Sequence, residues 1–346
     1  MIKKILVTGG TGYIGSHTIV ELQNVGYDVI CVDNLSRSNI DVIDRIESIT
    51  SVSPQFEKVE LCDFEQVEDF FSRNTDIIGI IHFAAYKLVN ESVAEPLSYY
   101  YNNLNSLINV LKMVKKHNIE MFVFSSSCTV YGQPDVLPVT ESTPLQLPAS
   151  PYGNTKKICE EILKAFLAEA PDTKIVSLRY FNPIGAHPSA LIGELPVGIP
   201  NNLLPYITQT AIGVREYLRV FGGDYDTHDG TAVRDYIHVV DLADAHVKAI
   251  DRMLQNKSES NYEIFNLGTG TGYSVLDVVK AFGKVIEKPL NHKIVERRPG
   301  DIEKIWTDPA LANQKLNWKT KYSLDDMVRT AWNWEVYYRE NGGFPF

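Results

Sequence analysis

The chain has 346 residues, 44% of them hydrophobic and 22% charged, with a formal net charge of −10. This length and balance suit a soluble globular protein of one large domain or two, with ample core in either case. The acidic excess and the lack of a basic stripe argue against nucleic acid as a partner, and no apolar run approaches the roughly 18 residues a membrane span needs.

The opening residues, Met1 to Val7, read as a first strand that runs directly into a glycine loop. They are too short for a secretory signal, so a cytoplasmic protein is expected. Ile5–Thr8 ends this strand and Thr11–Val25 has helical character. Asp28–Asp33, with Val29, Ile30 and Val32, reads as a second strand, and Phe56–Leu61 as a third. Ile77–Phe83 is almost wholly apolar, the pattern of a strand buried on both faces. A helix over Pro96–His117, a strand over Met121–Ser125, a helix over Pro151–Ala170 and a strand over Lys174–Tyr180 follow. Pro96 and Pro151 suit the first turn of a helix, where a missing N–H breaks no bond. The alternation predicts the α/β class, a Rossmann-type doubly wound parallel sheet with helices on both faces.

Beyond Tyr180 the texture changes. Residues 181–205 are rich in Pro, Gly and Asn and read as loop, as does Gly222–Gly230. Val239–Leu254 reads as a helix and Glu263–Leu267 as a strand that rejoins the first sheet. The expected division is a large domain of residues 1–180 with a return segment at 235–267. Residues 181–234 and 268–346 then form a smaller, mixed α/β domain. Cys31, Cys62, Cys128 and Cys159 lack metal-ligand spacing and read as free thiols. His228 and His238 likewise read as structural, and no metal is expected.

Two constellations carry chemistry. In the first, Gly9, Gly12 and Gly15 follow a strand and open a helix, and Gly10-x-Gly12-x-x-Gly15 fits a dinucleotide fingerprint. Glycines there allow a tight turn and close approach to a pyrophosphate, which the helix N-terminus then holds. Asp33 ends the second strand, where a carboxylate accepts from an adenosine ribose and repels a 2′-phosphate, favouring NAD over NADP. Asp63, after the third strand, lies within reach of an adenine.

In the second, Tyr152 and Lys156 are four residues apart and share one helix face. A phenol with a pKa near ~10 needs roughly 4 kcal/mol of differential stabilisation to act as a base at neutral pH. A nearby ammonium and a cationic nicotinamide in a water-poor cleft are expected to supply it. Ser127 ends the fifth strand of the sheet, the carboxyl end at which parallel sheets bind ligands, and is placed to hydrogen-bond a substrate hydroxyl beside Tyr152.

The glycine loop, Asp33, Ser127 and Tyr152-x-x-x-Lys156 resemble the extended short-chain dehydrogenase/reductase family. Further stretches resemble its branch of nucleotide-sugar 4-epimerases: Thr8–His17, Asp33–Leu35, His82–Ala84, Glu91–Val93, Ser125–Gly132 and Ser150–Lys156. They continue through Leu178–Ser189, Gly198–Tyr206, Val233–Ala245, Asn266–Gly268, Ser274–Ala281 and Gly300-Asp301, nearly the whole chain. The resemblance implies reversible 4-epimerisation of UDP-galactose and UDP-glucose through a 4-keto sugar, with transient hydride transfer to tightly bound NAD and Tyr152 as acid and base. It implies that the large domain binds NAD and the smaller one the UDP-sugar.

By position, the implied cofactor contacts are Gly9, Gly12, Tyr13, Ile14, Gly15, Asp33, Asn34, Asp63 and Phe64. Phe83, Ala84, Ala85, Lys87, Asn102, Tyr152, Lys156 and Phe181 complete them. Implied UDP-sugar contacts are Ser127, Tyr152, Asn182, Asn202, Leu203, Arg219, Phe221, Arg234, Arg298, Asp301 and Ile305. Arginines suit a diphosphate in an acidic protein, because the guanidinium offers several donors at once.

Three positions depart from the branch pattern. Ala85-Tyr86 stands where Gly-Leu is common and Asn90 where Gly is usual, both beside the nicotinamide. Ile305 lies at a position lining the sugar pocket, intermediate between a large Tyr and a small Cys or Ser. Acceptance of UDP-GlcNAc and UDP-GalNAc is therefore open, leaning towards absent or weak. A 4,6-dehydratase is the nearest alternative, but it typically carries Asp-Glu where this chain has Cys128-Thr129. A uronic-acid epimerase and a non-catalytic NAD-binding protein are further alternatives. The resemblance also implies a homodimer formed by two helices per subunit, with Asn102–His117 and Pro151–Ala170 as candidates.

Overall fold

The computed structural model describes residues 4–298 and 301–342. Residues 1–3, assigned above to the first strand, and Gly300 lie outside the described residues. β1 (Lys4–Thr8) leads through the glycine loop into α1 (Tyr13–Asn24). β2 (Asp28–Asp33), α2 (Val42–Thr50), β3 (Gln55–Lys58), α3 (Phe64–Arg73) and β4 (Ile77–His82) follow. Next come α4 (Val89–Ala94), α5 (Pro96–Lys116), β5 (Met121–Ser125), a 3-10 turn at Cys128–Tyr131, α6 (Pro151–Phe166) and β6 (Lys174–Tyr180).

The second half holds β7 (Asn182–Ile184), α7 (Leu203–Ala211), β8 (Leu218–Phe221), β9 (Val233–His238), α8 (Val239–Leu254) and β10 (Tyr262–Leu267). It ends with β11 (Gly272–Ser274), α9 (Val275–Val285), β12 (His292–Val295), β13 (Lys304–Ile305), α10 (Ala310–Lys315) and α11 (Leu324–Glu340).

The main sheet has seven parallel strands in the order β10-β6-β5-β4-β1-β2-β3. Period-two alternation splits its side chains between two cores. Ile5 and Val7 of β1 join Val29 and Cys31 of β2 beneath α1 and α8. Leu6, Ile30 and Val32 face the other way, against Val67 and Phe70 of α3 and Leu107 and Val110 of α5. Each such aliphatic side chain contributes about 1.5–3 kcal/mol relative to exposure, so both faces must be covered and the strands read as nearly continuous apolar runs. Pro96 and Pro151 do occupy the first turns of their helices.

Chain order reverses between β1 and β4, which opens a crevice at the carboxyl ends of those strands. β10 rejoins this sheet beside β6, as its sequence suggested. A smaller sheet forms around β9, which pairs with β7, β11 and β13. Its core gathers Ile207, Val220, Tyr236, Phe282 and Val328 from α7, β8, β9, α9 and α11.

Two readings need correction. Residues 181–205 are not all loop: Asn182–Ile184 pairs with Tyr236–His238, and α7 starts at Leu203. The partner strand lies some fifty residues away, so no local pattern marks this pairing. β3 ends at Lys58 rather than continuing to Leu61. Val59 makes a last bond to the Asp33 carbonyl at 3.2 Å, and Glu60 and Leu61 then turn into the crevice.

Candidate active site

The glycine loop is shaped by contacts that a side chain would break. Gly9 has a φ of +67°, and a Cβ on it would lie 2.8 Å from the Ala84 nitrogen. A Cβ on Gly15 would lie 2.4 Å from the Gly9 carbonyl oxygen. Gly12 caps α1 without any side-chain acceptor. The first-turn N–H groups therefore point at a loop with no bulk, a cradle fitted to a pyrophosphate. At the end of β2, Asp33 Oδ1 accepts from the Leu35 N–H at 2.9 Å and the Ser38 hydroxyl at 3.1 Å. No bond to its Oδ2 is made among the described residues, which leaves that oxygen for a ribose diol. Glycine cradle and carboxylate together fit a dinucleotide with a free 2′-hydroxyl.

These groups line one cleft of about 560 Å³. Gly9, Gly12, Tyr13, Ile14, Gly15, Asp33 and Asn34 line it from the glycine loop, the start of α1 and the end of β2. Phe83, Ala84, Ala85 and Lys87 line it from the segment after β4, Asn102 from α5, and Tyr152 and Lys156 from α6, and Asn202 reaches in from the second half of the chain. Three expected cofactor contacts lie elsewhere. Asp63 caps α3, accepting from the Glu65 and Gln66 N–H groups at 3.0 and 3.3 Å, because a carboxylate before a helix finds free donors next door. Phe64 lies under the Lys112 ammonium, 4.6 Å away. Phe181 is buried among Val130, Tyr131 and Ile305.

The floor of the cleft comes from α6 and β5. Ser150 caps α6 by accepting from the Gly153 N–H at 3.2 Å, and Tyr152 and Lys156 follow on one buried face. Lys156 Nζ donates to the Ser125 carbonyl at 2.7 Å, and the Ser125 and Tyr180 hydroxyls lie 2.8 Å apart. Burial pushes the Tyr152 phenol well above its usual pKa, Tyr180 adds to the rise, and a hydrogen bond with Ser127 opposes it. Burial also brings Lys156 down to about 8, against the pull of Cys159 and Glu160. The expected depression of the phenol by Lys156 is thus not produced by the chain's own groups. Desolvation of the phenolate outweighs them, and the lysine is committed to a carbonyl.

Beneath this floor lies a network that sequence reasoning missed. Arg179 of β6 pairs with Glu160 of α6 at 2.6 and 2.9 Å, both fully buried. Glu160 also accepts from the Ser126 hydroxyl at 2.6 Å, and Arg179 donates to Tyr131, which donates to Asn266. Glu160 is four residues beyond Lys156 on the same helix face, a visible signal, but its partner is not local. Thr11, Arg37, Tyr180, Glu194 and Tyr338 are cleft-lining residues that were also not foreseen.

The expected substrate contacts are placed differently. Ser127 is buried, and its oxygen accepts from the Thr129 N–H at 3.2 Å. Asn182 lies on β7, opposite Tyr236 of β9. Asn202 bonds to Glu194, which also pairs with Lys87 at 3.0 Å, and Leu203 packs at the start of α7. Arg219 and Arg298 lie over the Phe221 ring at 5.6 and 4.5 Å, and Arg298 contacts Asp301 at 3.2 Å. Arg234 donates to the carbonyls of Val233, Ile302 and Glu303. Ile305, expected to line a pocket, is 1% exposed and packs with Cys128, Val130 and Tyr131 behind the Ser127 turn.

His238 is buried, caps α8 and stacks on Tyr322 at 4.0 Å. His228 is exposed, 3.6 Å from its neighbour Asp229, and it lies 3.1 Å from Asp277, a proximity that sequence spacing does not reveal. No disulfide joins the cysteines, and no helix among the described residues is long and apolar enough to cross a membrane.

A family model described as GDP-mannose 4,6 dehydratase matches residues 6–331. A UDP-glucose 4-epimerase of Pasteurella multocida is 50% identical over 331 residues, 96% of this chain and 97% of that protein. One of Bacillus subtilis is also 50% identical over 331 residues, 96% of each chain. The solved UDP-glucose 4-epimerase of Bifidobacterium longum, in complex with NAD⁺ and UDP, superposes with a TM-score of 0.94. It is 46% identical and covers 99% of this chain and 100% of its own.

Proposed function

The chain belongs to the UDP-glucose 4-epimerases of the extended short-chain dehydrogenase/reductase family, and from that premise we propose how its own residues carry the reaction. It is an NAD-dependent UDP-sugar 4-epimerase, and we infer that it interconverts UDP-galactose and UDP-glucose reversibly. One observation carries the assignment of roles: Tyr152 and Lys156 share the buried face of α6 and line the same cleft as the glycine cradle.

The large domain, residues 1–180 with 235–267, holds NAD through the cradle, Asp33, Asn34 and Lys87. Residues 181–234 and 268–346 hold the UDP-sugar through Asn182, Asn202, Arg219, Arg234, Arg298 and Asp301. Bound NAD supplies the hydride acceptor and donor for sugar C4 and, when oxidised, a positive charge near the phenol. Tyr152 takes the proton of the 4-hydroxyl, holds it while C4 is at the ketone level, and returns it to either epimer. Ser127 hydrogen-bonds the same oxygen. Lys156, anchored on the Ser125 carbonyl, keeps cationic charge beside the phenol. Exclusion of water from this floor makes each of these charges count for more than in solvent.

The dehydratase alternative lacks its groups. Burial pushes the Cys128 thiol up to about 12, and a threonine hydroxyl is no acid at neutral pH. We infer a cytoplasmic homodimer joined through α5 and α6, whose surface shows Leu97 and Tyr101, 81% and 62% exposed. Light scattering at twice the monomer mass is expected, and a monomer would refute that arrangement. The activity is tested by giving purified protein UDP-galactose without added NAD. UDP-glucose should form. No turnover, with or without NAD, would end this reading. UDP-GalNAc in the same assay is expected to turn over weakly or not at all.

A further inference from the structure

Tyr86 departs from the branch pattern, and the structure shows what it touches. Its ring lies under the Arg37 guanidinium, with the guanidinium carbon 4.5 Å from the centroid. Arg37 also makes a bidentate pair with Glu91, at 2.9 and 2.8 Å. Glu91 is held in turn by the Tyr99 hydroxyl at 2.6 Å, and Tyr99 accepts from the Leu88 N–H at 3.0 Å. The Tyr86 backbone is clamped at both ends by the Asn103 amide, at 2.8 and 3.0 Å. One side chain is thus gripped by a ring and a carboxylate, both mounted on a braced support.

Topology gives this grip its meaning. Arg37 stands on the segment after β2, whereas Tyr86 and Glu91 stand on the segment and helix after β4. β2 and β4 flank β1 in the sheet, so the glycine loop after β1 lies between them. A link from Arg37 to Glu91 therefore crosses over the crevice that the glycine loop floors. Arg37 and Tyr86 both line that cleft.

Building on the epimerase reading, we propose that Arg37, Tyr86 and Glu91 form a bridge across the mouth of the cofactor cleft that sets how slowly NAD exchanges. The reaction consumes no net NAD, so the cofactor never has to leave between turnovers. Release requires the two lips to part, and parting them separates a bidentate ion pair and lifts a cation from a ring. Both contacts are lost together, because the same guanidinium makes both. These three are positioning residues: they act through the lips and carry no proton or hydride.

The test is exchange of bound NAD for radiolabelled NAD in the purified holoenzyme. Glu91→Gln, which breaks the pair alone, should speed exchange about tenfold, equivalent to about 1.4 kcal/mol, and Arg37→Met, which also removes the ring contact, about thirtyfold. Combining them should add little, since either change breaks the same pair. Tyr86→Leu should speed it about threefold. High salt should speed exchange in the unaltered protein more than in Arg37→Met. The charge-swapped double variant, Arg37→Glu with Glu91→Arg, should recover slow exchange. Rates within twofold of the unaltered protein in every variant would overturn the bridge, as would a swapped variant no slower than Arg37→Met. Turnover without added NAD, measured on the same preparations, tests the underlying epimerase reading separately.

Discussion

The two ends of the site are built in different ways. At the cofactor end, backbone does most of the work: glycine conformations, an open helix end and one strand-end carboxylate. These groups stand ready, because the fold itself determines where they are. At the proposed substrate end, the candidate groups are long side chains from distant segments, and each already has an internal partner. Arg234 is tied to three carbonyls, Arg298 to Phe221 and Asp301, and Asn202 to Glu194. A diphosphate arriving there must compete with those partners. Rigid backbone recognition suits a cofactor that stays. Exchangeable side-chain recognition suits a substrate that comes and goes in two epimeric forms.

Substitutions can break this contrast or sharpen it. The largest effect belongs at the floor, where the two ends meet. Tyr152→Phe should lower kcat by about 10²–10⁴-fold, the range for loss of a general acid–base. Bound NAD should remain, and full turnover by this variant would remove Tyr152 from its role.

Next is the buried support. Glu160→Gln leaves the Arg179 guanidinium, 2% exposed, without its counter-charge. A loss of about 3–5 kcal/mol in urea unfolding is expected. A loss below about 1 kcal/mol would mean that the buried pair does not hold the floor rigid.

Lys156 gives a smaller effect of opposite sign. Its folded-state value of about 8 lies below the usual 10.5, so the ammonium is disfavoured in the folded protein. The cost is full below about pH 8, shrinks as pH rises towards 10.5 and vanishes above it. Lys156→Met should therefore stabilise the protein at pH 7 by about 2 kcal/mol, some 3 from relieved burial less about 1 for the stranded Ser125 carbonyl. It should do so while impairing catalysis. Equal stability of the two proteins across pH 7–10 would refute this.

At the substrate end, Arg298→Ala should raise KM for UDP-galactose about tenfold, consistent with losing a charged contact of about 1.5 kcal/mol. NAD exchange should stay as it was, and a matching change in NAD exchange would erase the contrast between the ends. The smallest effect is expected from Ile305→Cys. Since Ile305 lies behind the Ser127 turn, the ratio of UDP-GalNAc to UDP-galactose activity should rise only about threefold. An unchanged ratio would separate Ile305 from substrate choice altogether.

The same contrast governs what the amino-acid sequence could reveal. The cofactor end was legible because strand, loop, helix and acid lie within the first 33 residues and each obeys a local rule. β2, β5, β6 and α8 matched their expected bounds because buried strands and an amphipathic helix announce themselves by periodicity. Asp63 shows the limit of a local rule, because one residue type serves both as adenine partner and as helix cap, and only the fold reveals the cap. β7 was hidden among Pro, Gly and Asn, since its pairing with β9 is set across the chain. Ile305 could be located by resemblance, but only packing shows which way it faces. Arg179 with Glu160, and Arg37 with Tyr86 and Glu91, depend on neighbours brought together by the sheet order.

That sheet order also bears on how the protein is made. β10 pairs with β6, and α8 packs on α1, yet both arrive after the whole segment 181–238 has been threaded through the smaller sheet. Leu242, Ala245, Ile250, Phe265 and Leu267 complete the core beneath α1. On a ribosome, the edge of β6 and the apolar side of α1 thus stay uncovered while about 90 further residues are added. At about 5–20 residues per second that interval lasts roughly 4.5–18 s. During it the nascent chain presents an unpaired strand and a bare helix face, the surfaces by which unfinished proteins associate. The nucleotide fold at the front of this chain is completed only by residues of its second half, up to Leu267.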